Sequence, residues 1–153
     1  MLTAEQRFRL LLRKYNDYEP EAYNFVYEAL DYTLKNLVEK RSNQHVTSHE
    51  LLEGLKLYAI DQFGCLAKTV LNELGVRTTK DIGNIIFKLV EYELMRKQSH
   101  DKEEDFHKVY DFNKVFNLKP ILSYLHEEKK WKVKYVQNKI LCPERHKSQL
   151  AKK

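Results

Sequence analysis

Four glycines and three prolines in 153 residues leave few places where a helix must break, since these residues are the strongest interrupters of helical backbone. The two cysteines, Cys65 and Cys142, have no metal-ligand spacing. Two thiols in a chain able to build its own core fit a reducing compartment, with a Cys65–Cys142 disulfide as the alternative. No run approaches the ~20 apolar residues of a bilayer span. Met1-Leu2-Thr3-Ala4-Glu5 lacks the basic flank and apolar stretch of a secretory signal. The expectation is a cytoplasmic protein without membrane contact. A glycine-rich phosphate loop, a nucleophile elbow and a meaningfully spaced Cys–His pair are also missing. That lowers the expectation of catalysis, and no cofactor is expected.

What is present fits one globular domain. Hydrophobic residues make up 42% and charged residues 32%, well short of a disordered composition. A chain of this length buries roughly 68–70% of its unfolded surface. The net charge of +5 is unevenly placed. Residues 119–153 carry ten Lys/Arg against three Asp/Glu, a net of +7, while the remaining 118 carry 17 against 19, a net of −2. Such a tail attracts phosphates and acidic surfaces, or serves as a solvated extension.

Helix signals dominate the first two thirds of the chain. Thr3 with Gln6 matches a capping box, and Phe8, Leu11, Leu12 and Tyr15 follow at helical spacing. Pro20 suits the first position of a second helix. Its apolar stripe runs from Ala22 through Phe25, Val26, Ala29 and Thr33 to Val38, with an end near residues 41–43. Thr47 with Glu50 opens a third helix, which Gly64 stops. A short fourth spans about Cys65 to Leu74, and Thr78 with Asp81 opens a fifth carrying Ile82, Ile85, Ile86 and Leu89. Beyond Gln98 the pattern predicts a polar loop to Asp105, a short strand over 109–112 and a short helix from Pro120 to Leu125. Residues 130–135 alternate as a strand, with a helix as the alternative. The last ten or so residues are expected to be mobile.

The stretch Ala22-Tyr23-Asn24-Phe25-Val26-Tyr27-Glu28-Ala29-Leu30-Asp31-Tyr32-Thr33 is distinctive. So are Glu50-Leu51-Leu52-Glu53-Gly54, Gln62-Phe63-Gly64, and Asp105-Phe106 followed by Val109-Tyr110-Asp111-Phe112. Together, over about residues 4–117, they resemble a small family of bacterial conserved hypothetical proteins with no assigned activity. The resemblance implies a bacterial cytoplasmic protein and carries over no functional residue.

The fold expectation is mainly α: a single helical domain of about five main helices, with a core over 4–118 and a basic extension over 119–153, partly packed and partly mobile. The fourth and fifth helices, joined by a tight turn, have the order of a helix-turn-helix. Leu94–Lys97 leaving as a strand and Phe106–Phe112 returning would add a short β-hairpin near residues 94–112, as in a winged helix.

Three kinds of site compete. On the winged-helix-like unit, Arg77 and Lys80 would be donors on a major-groove reading face, but Asp101, Glu103, Glu104 and Asp105 in the supposed wing would be repelled by phosphates. In the extension, Lys130, Lys132 and Lys134 interleave with Trp131 and Tyr135, a composition that suits single-stranded nucleic acid. It equally suits a strand covering the core with its lysines in water. Third, ten tyrosines are many for this length, and Tyr23 and Tyr27 are helical neighbours that could form a protein-contact face. The plainer reading of the tyrosines is core edges with satisfied hydroxyls. Metal readings are weaker. Thr47 starts its helix after His45, separating that residue from His49, and Glu104-x-x-His107 is only half of a di-iron pattern. Glu28, Asp31 and Asp61 fall on polar faces. The leading expectation is a non-enzymatic protein-interaction module, through a partner or self-association. Nucleic-acid binding through 119–153 is the alternative.

Overall fold

The computed structural model describes residues 1–39, 42, 45–97 and 101–138. Helices α1 (Ala4–Lys14), α2 (Pro20–Asn36), α3 (Ser48–Phe63), α4 (Ala67–Glu73) and α5 (Thr79–Glu91) form the body. A four-residue helix α6 (Phe112–Val115) leads into an antiparallel hairpin, β1 (Leu118–Leu125) and β2 (Lys130–Gln137). Three capping boxes form where their residues predict them, at Thr3/Gln6, Thr47/Glu50 and Thr78/Asp81. Each satisfies amides that the helix itself leaves without partners. Among the described residues no helix is long and apolar enough to cross a membrane.

Helix α2 packs along α3, and α5 closes over α2. Leu11, Leu52, Leu55, Leu71, Ile82, Ile85 and Leu89 are fully buried between them, each contributing about 1.5–3 kcal/mol by leaving water. At the α2–α3 crossing Thr33 is buried and donates to Ala29 O at 2.7 Å. It lies against Gly54, where a Cβ would stand 2.8 Å from Thr33 Cβ. Helix α3 ends at Gly64, whose φ of +56° is open to glycine at little cost.

The mainly helical body and the presence of a two-stranded hairpin match the sequence reading, but the hairpin lies over 118–137 rather than near residues 94–112. The described residues of 94–112 hold turns, a 3-10 segment at Glu103–Phe106 and the first residue of α6, and no strand. Their aromatic residues act as anchors: Phe106 and Phe112 are buried, and Phe106 lies over Gly83 of α5. The Val109 amide donates to Thr79 Oγ1, so it is used in packing and not in a ladder. The expected wing is therefore corrected to a packed loop.

The helix expected from Pro120 to Leu125 is likewise a strand. Proline is tolerated in a two-stranded ribbon, where a missing N–H can face outward, and Pro120 pairs with Tyr135. The strand reading of 130–135 holds. Helix α2 stops at Asn36, before the expected end near residues 41–43. The expected mobility of the last ten residues, and Cys142, fall outside the described residues.

Candidate functional site

The tyrosines resolve first. Tyr23 is fully buried, edge-on to Phe8 and Tyr18, and Tyr27 is half-buried with its hydroxyl donating to Leu94 O. The contact face expected from Tyr23 and Tyr27 is thus corrected for Tyr23, which offers no surface, while Tyr27 keeps part of its ring exposed as it ties α2 to Leu94. Three further hydroxyls act alike. Tyr15 donates to Glu91, Tyr18 to Asp81 and Tyr110 to Leu52 O, each at 2.8 Å. Burial is the main cause pushing the Tyr18 and Tyr110 phenols upward, and it pushes Tyr58 up to about 12.

Tyr23 is the exception, since its buried hydroxyl has no partner among the described residues. Burial pushes this phenol up to about 12. A phenol whose folded value exceeds its unfolded value near 10 contributes stability that is full below pH ~10 and is lost as pH rises through the folded value. Tyr23→Phe should therefore be neutral or stabilising by up to about 1 kcal/mol near neutral pH. It should also flatten the alkaline fall in stability. Urea midpoints at pH 7 and pH 11 would check both, and a large loss at pH 7 would refute them.

Arg77 and Lys80 are exposed at the start of α5. The fold adds His107 and Lys108 beside them, around an open cleft of about 510 Å³ walled by Tyr110 and Phe112. The Asp81 carboxylate already accepts the Arg77 and Thr78 amides at 3.0 Å, so negative charge occupies that helix end. Among the described residues no three His, Cys, Asp or Glu side chains gather as metal ligands. Glu28 accepts from Tyr58, and Asp31 pairs with Lys35 on the surface.

The hairpin gathers the remaining predicted residues and divides them. Its register pairs Leu122 with Val133, Tyr124 with Trp131 and Pro120 with Tyr135. Alternation then places Leu118, Pro120, Leu122, Tyr124, Trp131, Val133 and Tyr135 on one face, with Gln137 at its base. Lys119, Lys130, Lys132 and Lys134 take the other, with Ile121, Ser123, Leu125 and Val136. At the base, Tyr135 packs on Gly64, Gln137 Nε2 donates to Val115 O, and the Asn138 amide donates to Asn117 O at 2.8 Å. Beyond that foothold the ribbon projects. Its apolar face is open to solvent: Trp131 is 67% exposed, Leu122 63%, Val133 44% and Tyr124 41%. The Tyr124 and Trp131 rings meet at 5.3 Å, with His126 at 5.0 Å from Tyr124. At the tip Lys130 pairs with Glu128.

Single exposed apolar residues are ordinary, and a contiguous face of a few hundred Å² is the size of the largest apolar patch on a typical monomer, often a functional one. Sequence reasoning found the β2 half of this face and missed the β1 half, Leu122 and Tyr124, because 120–125 reads as a helix when its partner strand is not in view. Comparison of the chain with protein-family models, with curated proteins and with solved structures finds no match.

Proposed function

We propose that the chain is a non-enzymatic protein-interaction module whose contact surface is the apolar face of the β1–β2 hairpin. The observation that carries this reading is the division of the ribbon: the rings with Leu122 and Val133 on one exposed face, and the lysines, interrupted by Ile121 at 47% exposed, on the other. A partner that covers the first face leaves the lysines in water, so neither group loses hydration unfavourably. A photo-crosslinking residue at position 122, on the apolar face, should yield protein adducts in cells. The same residue at position 132, on the lysine face, should not. Nucleic-acid adducts from position 122, or equal protein adducts from both positions, would overturn the reading.

One observation favours nucleic acid as a second reading, the row of Lys119, Lys130, Lys132 and Lys134. Four lysines engaging phosphates would give a log–log salt slope of about −3 to −4 on duplex DNA, at roughly −0.9 per contact. The rings face away from that row, so a base stacked on Trp131 would carry its phosphates to the wrong side. Trp131→Ala separates the two readings. As an exposed residue it should shift folding stability by no more than ~0.5 kcal/mol. Protein-partner binding should weaken by about 2 kcal/mol or more if it is the central anchor. Duplex binding through the lysine row should be untouched. An electrophoretic shift that falls with salt and vanishes in Trp131→Ala would favour single-strand stacking instead, at about 1–3 kcal/mol per base.

A further inference from the structure

We propose that the partner of this face is a second copy of the chain, with two hairpins packing apolar face to apolar face about a twofold axis. This deepens the protein-contact reading and rests on it.

A twofold contact needs a self-complementary patch. The hairpin offers a bulky pair, Tyr124 and Trp131, next to a smaller pair, Leu122 and Val133, along one ribbon face. Turned on each other, two such faces set large side chains against small ones, the layering by which sheets interdigitate at ~10 Å spacing.

Charge selects this geometry over the alternative. Residues 118–138 carry five lysines against two glutamates, so two hairpins repel wherever their lysines meet. Face-to-face packing turns Lys119, Lys130, Lys132 and Lys134 of each copy outward into water. Pairing β2 edge to edge would instead bring two lysine rows onto one face of a continuous sheet, where like charges in neighbouring positions are unfavourable.

The ribbon also needs a second layer. An isolated two-stranded hairpin is marginal in water, and among the described residues this one is held to the body near its base. A second hairpin covers the open face. The four open side chains offer about 400 Å² per copy, so the pair buries about 800 Å², below the ~1,200 Å² at which stable interfaces begin. The expected dimer is accordingly reversible, with a dissociation constant in the micromolar range.

Trp131 is the only tryptophan in the chain, so its emission reports this face alone. The full-length protein should pass from the mass of one chain to that of two between about 1 µM and about 500 µM in sedimentation velocity. Trp131 emission should shift to the blue with the same midpoint. Leu122→Glu should stay monomeric at every concentration, with solvent-exposed emission and an unchanged melting curve. Lys132→Glu should dimerise as the parent does. A chain that stays monomeric while position 122 still crosslinks to a different protein refutes the second copy and leaves the protein-contact reading standing. Monomer with no protein adduct refutes both. A dimer that survives Leu122→Glu but dissociates in Lys132→Glu overturns the face assigned here.

Discussion

Gly54→Ala is expected to cost the domain on the order of 3 kcal/mol, because overpacking a tight core typically costs 1–3 kcal/mol and this contact is severe. A Cβ at Gly54 would overlap Thr33 Oγ1 and stand 2.8 Å from Thr33 Cβ. Thr33 cannot swing aside without breaking its bond to Ala29 O, and it is fully buried where α2 meets α3. Either the hydroxyl loses its partner in the core or the two helices separate. In a domain of this size the loss corresponds to a fall in melting temperature of about 6–12 °C. The double variant Gly54→Ala, Thr33→Ala should recover part of this, since it removes Oγ1 and Cγ2 but leaves the Cβ contact. Thermal melts of both variants provide the check. A Gly54→Ala protein as stable as the parent would mean that the crossing can widen freely.

Gly64→Ala should act on the hairpin more than on the body. Gly64 has φ +56° and ψ −130°, a region essentially reserved for glycine, where another residue costs about 1–3 kcal/mol. Its Cβ would also lie 2.6 Å from Tyr135 Cε1, so the ring on which the hairpin stands must move. The expected result is loss of amide protection over β1 and β2, measured by hydrogen exchange, with protection in α2 and α5 largely retained. Combining it with Tyr135→Ala should relieve the overlap without relieving the backbone, and so restore little docking. Uniform loss of protection throughout the chain would show that the hairpin and the helices unfold as one unit.

These two glycines illustrate what was legible beforehand. Gly64 was readable as a helix stop, because a left-handed turn after an apolar stripe is a local signal. That it is also the floor under Tyr135 was not readable, since 71 positions separate the two residues. Gly54 appeared only as part of a distinctive segment. Its closeness to Thr33 is a property of two packed helices. The capping boxes were all legible for the opposite reason: donor and acceptor lie three residues apart, within one turn.

The candidate site shows the same division. Alternation in Lys130–Tyr135 separated rings from lysines in the sequence itself, because a strand turns successive side chains to opposite faces whatever it packs against. Tyr23 and Tyr27 were misread because a tyrosine's composition suits interfaces and core edges alike. What distinguishes them is tertiary: for Tyr23 the neighbours that bury its ring completely, and for Tyr27 the Leu94 carbonyl within reach of its hydroxyl.

By itself, then, the sequence determined the five main helices, their caps, the charge asymmetry and the two-sided character of the second strand, since each depends on residues within a few positions of one another. The tertiary structure alone decided three things. It paired Lys130–Gln137 with Leu118–Leu125, turned Phe106 and Phe112 into anchors for a packed loop in place of a wing, and left the ring-bearing face of the ribbon uncovered. The physical reason is that apolar character states only that a surface favours leaving water. Which surface covers it depends on where the rest of the chain has gone, and here the helical body closes over its own core and, among the described residues, meets the hairpin near its base.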